Sequence, residues 1–140
     1  MLELAASPTS LVGVFGEPDA LDALDGVYRI APDEAMVVGR PDTIATIALE
    51  DPHVVVLDVT DGWEALTLSG DHVRAAFARL SALRLPDEGF VQGDVARVPA
   101  RVIVERDRLR ILVPAMWAEH LRSRILRRCA DLGVRQAGST

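Results

Sequence analysis

The spacing of apolar residues predicts a chain of short hairpins and helices. Gly26–Ile30 and Ala35–Gly39 are short and β-prone, and they flank Ala31-Pro32-Asp33-Glu34, with Pro32 suited to the second position of a turn. Asp42 caps a short helix after Pro41, with Ile44, Ile47 and Ala48 on one face. His53–Val59 is an almost continuous apolar run and reads as a strand covered on both faces. Asp61-Gly62 is a two-residue hairpin signal, and Trp63–Leu68 alternates with Leu66 and Leu68 on one side. Ser69 serves as an N-cap for a helix in which Val73, Ala76, Phe77 and Leu80 recur at i, i+3, i+4, i+7. Pro86 to Gly93 reads as a loop. Val95–Glu105 and Arg108–Val113 form a further hairpin around Arg106-Asp107, with Pro99 marking an irregularity or a sheet edge. A last helix runs from Met116 to about Asp131, with Trp117, Leu121, Ile125 and Cys129 on one face and Gly133 at its stop.

These elements sum to an α+β fold built as three β-hairpin–helix units. From the second strand onward the order is the ferredoxin-like split βαβ, an antiparallel or mixed sheet with helices packed on one face. The domain spans residues 26–135. Residues 1–25 carry Pro8, Gly13, Gly16 and Pro18 without a steady period and read as an arm, with Leu11, Val12, Val14 and Phe15 lying on the domain or on a partner. Residues 136–140 read as a frayed tail.

Composition narrows the class. With 49% hydrophobic and 26% charged residues the chain is globular, and at 140 residues it is the size of one domain. No apolar run reaches the ~18 residues of a membrane helix, and the N-terminus has no basic region ahead of its apolar part, so a soluble, cytoplasmic protein is expected. The single cysteine, Cys129, reads as a buried, inert thiol.

The net charge of −6 argues against nucleic-acid binding. It is unevenly spread: residues 1–70 hold 13 acids against Arg29 and Arg40, whereas residues 71–140 hold 8 acids against 13 arginines. All 15 basic residues are arginine. The guanidinium binds carboxylates and phosphates bidentately, so Arg122, Arg124, Arg127 and Arg128 on the last helix are candidate contacts for an anion or a partner. The alternative is that the basic half pairs with the acidic half of the same fold.

No catalytic set emerges. His53, His72 and His120 form no spaced pair, and one cysteine cannot build a zinc site. Asp58 interrupts an apolar strand; buried there it would have a raised pKa and act as a base, whereas at a solvated strand end it is structural. Asp61, Asp33 and Glu34 read as turn acids. There is no GxSxG, Walker A or GxGxxG element, and Ser69-Gly70-Asp71 reads as a cap rather than an anion site because Asp71 would repel the anion. Trp63 and Trp117 are candidates for stacking a ligand ring, with core packing the simpler reading.

Three stretches carry a family resemblance: YRIAPDEAMVV, VVVLDVTDGWEALTLSGDHVRAAFARLSALRL and FVQGDVARVPARVIVERDRLRILVPAMWAEHL. Taken in order, they resemble the gamma subunit of heterotetrameric sarcosine oxidase, a relative of the folate-binding aminomethyltransferase domain. The likeness runs over residues 26–132. The chain departs from the pattern at Ala115 and Met116, where the family usually has a polar pair with a helix-capping serine or threonine. The resemblance implies a non-catalytic assembly subunit of a flavin-dependent amine oxidase complex, whose larger oxidase subunits bind flavin and tetrahydrofolate while this chain binds no cofactor. The alternative is a free-standing module that binds a small folate-like ligand or forms a homo-oligomer. Neither nucleic acid nor membrane is an expected partner.

Overall fold

A computed structural model describes residues 1–39 and 53–137. The short helix expected after Pro41 lies outside the described residues. The chain forms two compact units rather than an arm, a domain and a tail: Thr9–Asp61 is one, and Met1–Pro8 with Gly62–Thr140 is the other.

Among its described residues, the unit of residues 9–61 is a four-stranded antiparallel sheet with a short helix. In chain order it contains β2 (Leu11–Gly16), α1 (Pro18–Asp22), β3 (Tyr28–Ala31), β4 (Glu34–Val38) and β5 (Val54–Asp58), with spatial order β3-β4-β2-β5. The hairpin at Pro32-Asp33 is as expected, since Pro32 fixes φ for a turn and removes a donor that a strand would need. Val12, Val14, Ala35, Val37 and Val54 share one face of the sheet and pack with Leu21 of α1. Arg29 ties the helix to the hairpin: it donates to Asp22 Oδ1 at 2.6 Å, to the Ala31 carbonyl at 3.0 Å and to the Pro32 carbonyl at 2.9 Å.

Two expectations for this unit are corrected. Residues 11–16 are a strand in the interior of the sheet, not an arm. β5 is not covered on both faces: Val54 and Val56 pack on the α1 side, whereas Val55 and Leu57 on the opposite face are 57% and 52% exposed. An apolar run alone does not say which faces of a strand are covered.

The second unit is a six-stranded sheet with two helices. It contains β1 (Leu2–Ala6), β6 (Trp63–Gly70), α2 (Val73–Leu80), β7 (Gly89–Val95), β8 (Val98–Val104), β9 (Arg108–Pro114), α3 (Ala118–Arg128) and β10 (Val134–Gln136), with spatial order β10-β1-β6-β9-β8-β7. β6-α2-β8 is a split βαβ, with β9 antiparallel between its two strands. The order β10-β6-β9-β8 is the ferredoxin-like arrangement, with β1 inserted between β10 and β6 and β7 added at the outer edge. The class is α+β, with two sheets and three helices among the described residues.

Period-2 alternation puts Leu2 and Leu4, Leu66 and Leu68, Val102 and Val104, and Leu109, Ile111 and Val113 on one face of the sheet. Ala76, Phe77 and Leu80 of α2 and Ala118, Leu121 and Ile125 of α3 pack on that face. The amphipathic stripe that predicted α2 is the stripe it buries.

The expected hairpin at Asp61-Gly62 does not form. β5 and β6 belong to different sheets, and residues 60–62 make a single 3₁₀ turn between them. The favoured two-residue hairpin turn with Asp-Gly needs positive φ at both central positions, and Gly62 does not take one. Thr60 instead fixes the end of β5. Its Oγ1 accepts from the Leu11 N–H at 2.9 Å, and its own N–H donates to Asp58 Oδ1 at 2.9 Å.

Residues 89–95 are a strand rather than a loop, and Gln136 ends a strand rather than beginning a frayed tail. The N-terminal residues of the supposed arm form β1, an interior strand paired with both β6 and β10.

Arg79 pairs with Asp131, which links α2 to the segment after α3. The hydrogen bond from Arg79 holds the Asp131 carboxyl below its usual range, outweighing the opposite effect of desolvation. A folded-state pKa below the unfolded one stabilises the fold above the ordinary carboxylate value and loses that contribution as pH falls through the folded value. Asp131→Asn is therefore expected to lower Tm at pH 7, and the gap to the unsubstituted protein should close below about pH 4. Melting curves at pH 7, 5, 4 and 3 measure this; a gap constant over that range would contradict it.

Candidate functional site

The four candidate arginines of α3 do not make one surface. Arg122 has its Nε 3.7 Å from Glu119 Oε1, and that nitrogen is buried without a hydrogen bond. Arg124 donates to the carbonyl of Ala96. Ala96 and Arg97 form the tight β7–β8 turn with φ of 49° and 68°, unusual for residues with side chains. Arg124 thus anchors a strained turn, and the Ala96 N–H adds a bond to the Leu80 carbonyl at 2.6 Å. Arg127 and Arg128 are exposed. Arg79, Arg108, Arg110, Arg122 and Arg135 of the second half have acids close by in sequence or fold, and Arg108 and Arg110 both bond Glu105, at 3.1 and 2.6 Å. Burial pushes Glu105 up, but the hydrogen bonds from Arg108 and Arg110 outweigh it and leave the carboxyl low.

Asp58 has the solvated role. Its hydrogen bond from Thr60 lowers its pKa, the opposite of what a buried general base requires. No polar or charged residue is buried among the described residues, and none of their His, Cys, Asp and Glu side chains cluster so as to hold a metal ion.

Ser69 does not cap α2. It lies in β6, and the helix starts at Val73 after His72, which has φ of 65° and makes no side-chain cap. Trp117 is 43% exposed, against the expectation of core packing. The chain makes a 3₁₀ turn over Ala115–Trp117 before α3 begins, so the helical phase that buries Leu121 and Ile125 puts Ala118, not Trp117, inside. The turn has no side-chain cap, and Met116 is 80% exposed. His120 sits edge-on to the Trp117 ring at 5.8 Å.

Cys129 is fully buried, with Sγ 3.8 Å from the Ala76 carbonyl. Desolvation pushes its thiol pKa up, against a smaller lowering by Arg79. Because the thiolate is the reactive form, a disulfide-exchange reagent at pH 8 is expected to find no thiol in the folded protein and one per chain in denaturant. Rapid labelling of the native protein would contradict a buried Cys129.

A cleft lies on the sheet face opposite α2 and α3. It has a volume of about 320 Å³ and is lined by Trp63, Gln92, Gly93, Pro99, Ala100 and Arg101. The Arg101 guanidinium carbon stands 4.2 Å from the Trp63 ring centroid, a cation–π contact. Gln92 is the direct cross-strand neighbour of Arg101. An aromatic face, a cation and an amide suit a small planar or anionic group, but they include no nucleophile paired with a base. The sequence marked Trp63 and missed Arg101, because the strand β7 that aligns Gln92 with Arg101 read as a loop.

The architecture has counterparts among solved structures. It is similar to a chain of the heterotetrameric sarcosine oxidase from Corynebacterium sp. U-96, with a TM-score of 0.81 at 18% identity, covering 98% of this chain and 88% of that one. The two share one fold. A second similar structure is aminomethyltransferase T of the glycine cleavage system from Bartonella henselae, with a TM-score of 0.69 and 18% identity; this chain spans 48% of its length. A more distant likeness, with a TM-score of 0.52 and 15% identity, is to the regulatory subunit of aspartate kinase from Thermus thermophilus. No family model matches the sequence, and no curated protein matches it. Among the described residues no helix is long and apolar enough to cross a membrane.

Proposed function

We propose that this chain is a non-catalytic assembly subunit of a heteromeric, flavin-dependent amine oxidase of the sarcosine oxidase kind, working in the cytoplasm. The observation that carries the reading is the fold shared over nearly the whole of both chains with one chain of a heterotetrameric sarcosine oxidase. The polar groups that looked most like chemistry support it by having structural work instead: Asp58 ends a strand, Arg124 holds a turn and Cys129 fills the core. In this reading flavin and tetrahydrofolate are bound by the larger oxidase subunits, and Arg127, Arg128, Met116 and Trp117 are exposed residues of the types enriched at interfaces.

The test is purification of the tagged chain from its native host, with mass spectrometry and a flavin absorbance scan. The expected result is a stoichiometric yellow complex containing a large oxidase chain. A colourless protein without such a chain would overturn the reading.

The Trp63–Arg101 cleft supports a second reading, a free-standing module for a planar anionic ligand of the folate type. Titration with 5-formyl-tetrahydrofolate, followed by tryptophan fluorescence in the unsubstituted chain and in Trp63→Phe, tests it. A signal that is lost in the variant supports it, and no signal at high micromolar ligand removes it.

A further inference from the structure

We propose that the outer edge of β5 is a strand-addition site for an extended basic segment of a partner subunit. This rests on the subunit reading and names the surface and the chemistry of the contact.

The backbone geometry comes first. Among the described residues β5 ends its sheet, and it pairs with β2 without a break in register from Val54 to Asp58. The Val59 N–H donates to the Leu11 carbonyl at 3.0 Å, which sets the phase of the ladder. Antiparallel pairs alternate between hydrogen-bonded and open, so Val55 and Leu57 direct their N–H and C=O groups at β2. Val54, Val56 and Asp58 direct theirs outward. Natural edges are blunted by lysine, proline or a bulge; β5 has none of these.

The side chains complete the surface. Val55 and Leu57 lie on one face of the strand and are more than half exposed. Their neighbour across the ladder is Phe15, whose ring lies so close over Gly13 that a Cβ there would be 2.8 Å from a ring carbon. An entering strand therefore meets three outward backbone positions beside an apolar strip. That is the form of β-augmentation, in which main-chain bonds give affinity and alternate side chains give specificity.

Charge chooses the occupant. Residues 9–61 hold eleven acids against Arg29 and Arg40, a net −9, and Arg29 is already paired with Asp22. A second copy could pair about Val56, but it would bring a second −9 to the same place. A segment with lysine or arginine alternating with apolar residues gains from the same field.

The experiment titrates the full chain with a synthetic Lys-Val-Lys-Val-Lys-Val-Lys peptide and with its Glu-Val counterpart, reading amide hydrogen exchange at Val54, Val56 and Asp58. The basic peptide is expected to slow exchange at these three by about tenfold or more, and the acidic one to leave them unchanged. Val56→Pro should abolish the effect while the chain stays folded, because it removes an N–H that faces outward. Val55→Thr with Leu57→Thr should weaken it while keeping β propensity.

Equal protection by both peptides, or none at millimolar basic peptide, would overturn the proposal. So would a dimer of the chain alone, in sedimentation, that Val56→Pro dissociates, since a second copy would then be the occupant. The two readings fail separately. A host oxidase complex that survives Val56→Pro removes the β5 site and leaves the subunit role. Protection by the basic peptide with no host complex removes the role and leaves the site chemistry.

Discussion

Phe77→Ala is expected to cost about 3–5 kcal/mol of stability, as for other buried aromatics cut to alanine. Phe77 is 1% exposed and projects from α2 into the core that α3 and the six-stranded sheet share. Removing the ring forfeits both the transfer of its surface from water and the contacts of the atoms around it. A domain's whole stability is only about 5–15 kcal/mol, so the loss is a large share. Urea unfolding followed by tryptophan fluorescence measures it, with Trp63 and Trp117 both reporting on this unit. Phe77→Leu, which refills much of the space, should cost clearly less. A loss under about 1 kcal/mol for the alanine variant would mean that α2 does not close this core.

Gly70→Ala is expected to cost about 2–4 kcal/mol, from two separate causes. Gly70 has φ of +98°, a conformation L residues rarely adopt. A Cβ there would also lie 1.9 Å from the Met1 carbonyl oxygen, a backbone atom that cannot rotate away. The neighbouring Asp71 N–H donates to that carbonyl at 3.1 Å, so movement of β1 would break a bond as well. Gly26→Ala is the control. Gly26 also has positive φ, +73°, but nothing lies within 4 Å of its added Cβ. It should show the conformational penalty alone, about 1 kcal/mol. Equal losses at the two sites would deny the close approach of β1 to Gly70.

Local signals were legible where local chemistry decides. The period of Val73, Ala76, Phe77 and Leu80 gave α2, Pro32 gave the β3–β4 turn, and Arg106-Asp107 marked the turn of the β8–β9 hairpin. The errors arose where long-range pairing decides. β1 is five residues long, and its two apolar core positions, Leu2 and Leu4, are too few for a period to show. β7 contains Gly89 and Gly93, which depress β propensity, and it turns through Ala96-Arg97 without the asparagine or glycine that usually marks such a turn. Asp61-Gly62 carried a hairpin's local sequence, but β5 found β2, and β6 found β1 and β9.

The candidate site was legible only as residue types. Four arginines on one helix suggested one surface, whereas the turn at Ala96, twenty-eight positions before Arg124, claimed one of them. No spacing rule in the sequence brings Arg101 over Trp63, because they meet across an intervening strand.

The placement of β1 bears on the order in which the chain folds. Its neighbours β6 and β10 end at residues 70 and 136, so both of its pairings close long loops. The six-stranded sheet therefore waits on distant pairings, while the strands at residues 11–58 have all their described partners within that stretch. Pulsed hydrogen exchange during refolding should accordingly show amides of β2 and β4 protected before those of β1.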